Sequence, residues 1–215
     1  MSYLIRVYYD NELYSVDLSE KIGATIGSSN SDTVFVKGSK LKQGHFTIKN
    51  NGHGFVISGQ KLLERQGNKF CKAKDEIMLD ADKVFSTETD VKVLVAVHPK
   101  YQNSFSIDVT DKEIISFGKL PENTVVLNDK RTSARHCRIV RYPGGLYAED
   151  LSSTNGTFVN GRRIQAKCRL NNFDRINFSI YQVNCVGDKI IIENIEKSAD
   201  KTVPVINNKT VSVFG

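Results

Sequence analysis

The feature that most constrains this chain is that it repeats itself. Displacing the sequence by 91 residues lays Tyr14–Lys49 over Phe105–Val140 without a gap, and eight of the 36 positions are then identical. About two matches would follow from ordinary composition. The identities are Ser15/Ser106, Asp17/Asp108, Lys21/Lys112, Gly27/Gly118, Thr33/Thr124, Val34/Val125, His45/His136 and Ile48/Ile139. Apolar positions pair as well: Val16 with Ile107, Leu18 with Val109, Ile26 with Phe117. Internal similarity of this kind means one structural unit used twice. The 215 residues suit two ordinary domains. We divide them at His98-Pro99-Lys100 into residues 1–97, 98–195 and a tail, 196–215.

Each copy reads as strand. Tyr3–Tyr9 passes through a turn at Asp10-Asn11 into Leu13–Leu18, which alternates apolar and polar. Further β-rich runs follow at Thr33–Val36, His45–Lys49, Phe55–Ser58 and Lys92–Val97, separated by Gly, Asn and Asp. No stretch of useful length carries a 3.6-residue apolar period. Many short strands between close turn signals predict an all-β chain of two tandem β-sandwiches. Short Val/Ile runs around Pro204 predict either an edge strand or a linker in the tail.

The copies differ in three polar loops of the second. These hold Gly118-Lys119, then Ser133-Ala134-Arg135-His136, then Thr154-Asn155-Gly156 with Asn160-Gly161 close behind. They offer hydroxyl, amide and cationic donors, which suits an anion rich in acceptor oxygens, such as a phosphate. In the first copy Ser28, Lys42 and Gly44 stand opposite Lys119, Ser133 and Arg135. An ungapped continuation puts Leu63-Glu64 opposite Thr154-Asn155. Of the pattern only Gly27 and His45 remain.

The three motifs, in this order and spacing, resemble those of the forkhead-associated (FHA) domain. That pattern is Gly-Arg, Ser-x-x-His, and a Thr-Asn-Gly near a second Asn-Gly. The resemblance implies that the Ser133 hydroxyl, Thr154 and the cations Lys119 and Arg135 meet the phosphate of a phosphothreonine. It places Asn155 on the peptide backbone and Arg131 on a side chain beyond the phosphate. Gly118, His136, Gly156, Asn160 and Gly161 are expected to be structural. His136 has a counterpart, His45, in the copy that lacks the donors, and a ligand-binding residue would not be expected to outlast its site. Asn160-Gly161 suits a hairpin turn. Lys119 stands where the family has arginine; an ammonium is a hydrated point charge, without the two-pronged grip of a guanidinium.

The net charge of +6 is uneven: residues 1–97 hold 13 Lys/Arg against 12 Asp/Glu, and residues 98–215 hold 17 against 12. Five cations and no acid lie between Lys130 and Arg141. Nucleic acid is not expected as a partner, since aromatics are not interleaved with the cations and no helix is available for a groove. The four cysteines are scattered with no Cys-x-x-Cys pair, so reduced thiols are expected, with no metal and no cofactor. Motifs of nucleotide-binding loops, serine hydrolases and zinc proteases are absent, so no enzyme is expected. The longest apolar run, Val93–Val97, is too short to cross a bilayer, and the start lacks the layout of a signal peptide.

A motif-poor copy ahead of a motif-bearing one resembles the cytosolic N-terminal region of EssC/YukB-type membrane ATPases of bacterial type VII secretion. This implies a cytoplasmic, non-catalytic interaction module at the cytosolic face of the cell membrane, with the membrane anchor and ATPase domains elsewhere in the full protein. Its partner would be a protein or phosphoprotein of the secretion apparatus. The alternative reading is an assembly platform that docks partners without phosphorylation.

Overall fold

The computed structural model describes residues 3–67, 69–80, 82–88, 90–99, 104–194, 205–206 and 211–213. Every regular element among them is a strand, as the turn-rich, alternating pattern led us to expect. The chain divides into two compact units, Met1–Lys100 and Tyr101–Gly215. The first unit runs past residue 97 because the strand Asp90–Pro99 keeps pairing with Tyr3–Tyr9 as far as Tyr3↔Pro99.

In the first unit, one sheet runs in the order Glu12–Asp17, Tyr3–Tyr9, Asp90–Pro99, Lys83–Thr87, Leu62–Gln66, Lys69–Lys72. The other runs Val34–Phe35, Gly23–Gly27, Phe46–Asn50, Phe55–Gly59, Glu76–Met78. Ile5, Val7, Val93, Val95 and Phe85 of the first sheet form one core with Ile26, Phe46, Ile48 and Ile57 of the second. The alternation of side chains along a strand sends these residues to the interior.

The second unit repeats this sandwich. Ile114–Gly118, Val125–Val126, Cys137–Tyr142 and Gly145–Asp150 occupy the places of Gly23–Gly27, Val34–Phe35, Phe46–Asn50 and Phe55–Gly59. Its other sheet contains Arg162–Arg163, Phe158–Val159, Arg175–Phe178, Tyr181–Val186, Lys189–Asn194 and Ser104–Asp108, in that order. The core closes around Phe178, whose ring lies 5.4 Å from Phe117 and 6.4 Å from Tyr181.

One strand comes from the opposite end of the repeat. Between Glu12–Asp17 and Asp90–Pro99 the first unit places its N-terminal strand, Tyr3–Tyr9. Between Ser104–Asp108 and Tyr181–Val186 the second places its late strand, Lys189–Asn194. Both are antiparallel to both neighbours. Ile190 and Ile192 fill the interior as Ile5 and Val7 do, all four being fully buried. The second unit is thus a circularly permuted form of the first, and only residues 100–103 separate their nearest strands.

Two short strands beyond residue 195 join edges of the second unit. Val205–Ile206 pairs with Val125–Val126, and Val211–Val213 pairs with Phe105–Ile107. Two such pairings shield edges that would otherwise offer unpaired backbone groups. The remainder of the expected tail, residues 196–204, 207–210 and 214–215, lies outside the described residues.

If Lys189–Asn194 completes the second core, Ile192→Ala should lower the unfolding free energy of that unit by about 2–5 kcal/mol. Chemical denaturation followed on amide signals of residues 104–194 measures this. A loss below about 1 kcal/mol would show that the strand is peripheral.

Candidate functional site

The three loops meet at one end of the second sandwich, and a buried imidazole ties two of them together. The Ser133 N–H donates to His136 Nδ1 at 3.1 Å, and His136 Nε2 lies 3.2 Å from the Gly156 carbonyl. An acceptor at Nδ1 and a carbonyl at Nε2 define the neutral tautomer with its proton on Nε2. Burial lowers the His136 pKa below the ordinary 6.5, with the Gly156 carbonyl and Asp150 opposing that shift. The ring rests 5.1 Å from Phe178 and has no exposed surface. The first unit builds the same bridge: the Lys42 N–H donates to His45 Nδ1 at 3.1 Å, and Nε2 lies 3.2 Å from the Gln60 carbonyl.

Other repeated identities also prove to be scaffold. Thr124 and Ser116 exchange hydroxyl–amide bonds of 3.2 and 3.0 Å, as Thr33 and Thr25 do at 3.1 Å. A Cβ on Gly118 would come within 2.3 Å of the Ala134 carbonyl oxygen, and one on Gly27 within 2.4 Å of that of Lys42. The Ser133 loop can approach its strand only because those positions carry no side chain.

On this frame the donors converge in part. The Thr154 N–H donates to Ser133 Oγ at 3.0 Å, and the two hydroxyl oxygens lie 3.4 Å apart. Both hydroxyls are thereby presented side by side. Asn155 is exposed, and its Nδ2 donates to the Arg131 carbonyl at 2.8 Å, bracing the second and third loops. Lys119 is exposed at the tip of the first loop, its own N–H bonded to the Ser133 carbonyl at 3.0 Å. Arg135 lines a concavity of about 640 Å³ with Ser116, Glu122, Asn123, Arg138, Asp150 and Ser152, a lining that includes none of Lys119, Ser133, Thr154 or Asn155. Arg131 is held in a two-pronged ion pair by Asp129, with Nε and Nη2 each 3.0 Å from a carboxylate oxygen. That guanidinium, with help from the Ser179 hydroxyl and against the opposing effect of burial, holds the Asp129 pKa at about 2. Asn160 and Gly161 both adopt positive φ, 50° and 79°, and close the hairpin of Phe158–Val159 with Arg162–Arg163.

The charged run between residues 130 and 141 is therefore less available than it reads. Arg138 is paired with Glu149 at 2.7 Å and Arg141 with Asp188 at 3.5 Å. Lys119, Lys130 and Arg135 keep no ion pair among the described residues.

Several residues passed over in the sequence hold the third loop. Asp150 accepts the Ser153 hydroxyl at 2.5 Å, the Ser153 N–H at 3.0 Å and the Thr157 hydroxyl at 2.6 Å. Burial pushes its pKa upward, and these bonds outweigh burial to leave it below the ordinary value. Ser153 Oγ in turn accepts the Gly156 N–H at 3.0 Å. Arg163 lies so close over Gly156 that a Cβ there would meet its Nε at 2.5 Å. The signal for this web was the density of hydroxyl residues around a single acid, Asp150-x-x-Ser153 and Thr157.

The loop also corrects the ungapped alignment of the copies. The Gln60 carbonyl stands where that of Gly156 does, so the counterpart of the seven residues 151–157 is the two-residue turn Gln60-Lys61. Leu63 and Glu64 lie in a strand, and Thr154-Asn155 have no counterpart in the first unit.

The FHA domain family model matches residues 115–179, the stretch that holds all three loops. Residues 115–179 are an FHA domain. FHA domains are non-catalytic phosphothreonine-peptide binding modules. The chain is similar to the ABC transporter ATP-binding/permease protein Rv1747 of Mycobacterium tuberculosis, at 38% identity over 52 residues, 24% of this chain and 6% of that protein. It is similar to the FHA domain-containing protein FhaB of the same species, at 34% identity over 56 residues, 26% of this chain and 36% of that one. The chain thus spans well under half the length of these relatives. Among solved structures, the N-terminal FHA domain from EssC, a component of the bacterial type VII secretion apparatus, aligns over 96% of both chains at 17% identity, with a TM-score of 0.41.

Cys137 and Cys185 are buried and burial pushes both thiols far up; it also raises that of the partly exposed Cys168. Among the described residues no cluster of His, Cys, Asp and Glu could hold a metal ion, and no helix is long and apolar enough to cross a membrane.

His136→Ala should cost about 1–3 kcal/mol, since it strands the part-buried Ser133 N–H and the buried Gly156 carbonyl. With a folded pKa below the unfolded value near 6.5, the neutral imidazole's contribution is complete above pH 6.5 and declines as pH falls toward the folded pKa. Denaturation midpoints between pH 7.5 and 5 should therefore fall with pH, and more steeply in wild type than in His136→Ala. Equal slopes would remove the imidazole from the account.

Proposed function

We propose that the second unit binds phosphothreonine peptides of a partner protein, and that the first does not. The observation that carries this reading is the pair of joined hydroxyls, Ser133 and Thr154, near a lysine without an ion-pair partner, Lys119. The first unit lacks both hydroxyls and the loop that brings one of them. A phosphothreonine carries about −1.5 to −2 charge at neutral pH and three acceptor oxygens. Lys119, Ser133 and Thr154 would meet those oxygens, Arg135 would add charge from the neighbouring concavity, and Asn155 would hold the peptide backbone. Arg131 would face a peptide side chain only where that side chain competes with Asp129.

We further infer that the two units serve an EssC/YukB-type ATPase of type VII secretion, at the cytosolic face of the membrane, with a protein of that apparatus as partner. The succession of a motif-poor and a motif-bearing copy supports this reading. A phosphorylation-independent platform is the second reading, favoured by lysine at position 119 and by the commitment of Arg131 to Asp129.

Calorimetry at fixed ionic strength, with a phosphothreonine peptide and its unphosphorylated form, separates the two. Each charge-assisted bond is worth about 1.5–3 kcal/mol, so Ser133→Ala should weaken phosphopeptide binding about 10- to 100-fold. Lys119→Arg should strengthen it by adding a second parallel bond. If Ser133→Ala and Asn155→Ala leave affinity unchanged, the platform reading holds instead.

A further inference from the structure

One buried position separates the two copies by a single atom pair. Asn123 in the second unit stands where the first has Asp32, 91 residues earlier, and both are buried. Asn123 Nδ2 donates to two carbonyls, those of Leu120 and Ala134, at 2.9 Å each. Two acceptors around it leave no doubt which end of the amide is the nitrogen. Asp32 has two acceptor oxygens and takes two N–H groups instead, Gly44 at 2.8 Å and Ser29 at 3.0 Å.

The peptide at the tip of the Ser133 loop is therefore reversed between the copies. In the second unit the Ala134 carbonyl points inward, to Asn123 Nδ2 and to the Leu120 N–H at 3.1 Å. In a trans peptide the following N–H points the other way. The Arg135 N–H faces outward and has no partner among the described residues. In the first unit the matching N–H, that of Gly44, faces inward and is consumed by Asp32. Reversal needs a positive φ at the second residue of the peptide. Gly44 has φ +56°, which glycine adopts freely, whereas Arg135 is not among the residues of positive φ.

We propose that Asn123 is a positioning residue for the anion site: it turns the Ala134–Arg135 peptide so that the Arg135 N–H becomes a further donor to the phosphate. This rests on the phosphothreonine reading above. Asp32 with Gly44, and Asn123 with Arg135, are two matched pairs that set the peptide in opposite senses. A backbone donor held this way stays fixed and keeps its dipole whatever the surface cations do.

The test compares wild type, Arg135→Gly and Asn123→Asp/Arg135→Gly in the full chain. Both variants lose the same cation, and the glycine lets the second adopt the first unit's loop without strain. The probe is the phosphothreonine peptide bound best in the calorimetric comparison, beside its unphosphorylated form. The inference expects the double variant to bind about 10- to 100-fold more weakly than Arg135→Gly. It also expects the residue-135 amide to exchange rapidly with solvent and to shift on peptide binding in wild type, and to become protected in the double variant. Equal affinity of the two variants, or a wild-type Arg135 amide unmoved by a peptide that binds, would overturn the inference while leaving the phosphothreonine reading in place. Failure of wild type to prefer the phosphorylated peptide would sink that reading, and this inference with it.

Discussion

The second unit's loops depend on the buried imidazole of His136. The loop from Asp129 to His136 enters a strand of one sheet, and the loop from Leu151 to Thr157 crosses from that sheet to the other. The ring accepts a bond from the Ser133 loop and donates one to the Gly156 loop, and it can do both only while neutral. Burial against Phe178 favours the neutral form. A packed aromatic core thus determines a protonation state, which sets the distance between two loops. The adjacency of the Ser133 and Thr154 hydroxyls follows from it.

Comparison of the copies divides frame from site. Asp17 and Asp108 each accept a backbone N–H two residues on, at 2.8 and 2.9 Å. The threonine exchanges, the glycine approaches and the histidine bridges are likewise duplicated. At the loop end of the sandwich the copies differ in the donor residues themselves, in the length of the third loop, in one amide against one acid, and in the direction of one peptide. Binding chemistry placed on loops over a common frame can be lost without cost to the sandwich. The first unit keeps its bridge because the bridge belongs to the frame.

Much of the frame was legible because the repeat preserves the residues that build it: a Gly that admits a backbone carbonyl, a His between two loops, alternating apolar residues that face inward. The origin of one core strand was not legible. Lys189–Asn194 replaces Tyr3–Tyr9 from the other end of the repeat, and no ungapped shift can align them. The five residues fewer in the first unit's third loop were hidden for the same reason. Among the candidate residues, the meeting of Ser133 and Thr154 followed from the FHA resemblance. The pairing of Arg131, Arg138 and Arg141 could not, since Glu149 reaches Arg138 from a neighbouring strand, Asp188 reaches Arg141 from a distant turn, and Asp129 sits just outside the charged run. The Asn123/Asp32 difference looks conservative in sequence, yet a donor has become an acceptor.

On the phosphothreonine reading proposed above, one copy has an anion site and the other only its frame. The most direct measurement is a two-dimensional amide spectrum of the whole chain, titrated with a phosphothreonine peptide and with its unphosphorylated form. The account predicts shifts at Lys119, Arg131 to His136 and Thr154 to Gly156 with the phosphorylated peptide alone. It predicts none at Ser28, Lys42 to His45 or Gln60-Lys61. Comparable shifts in both copies, or the same shifts with both peptides, would contradict it.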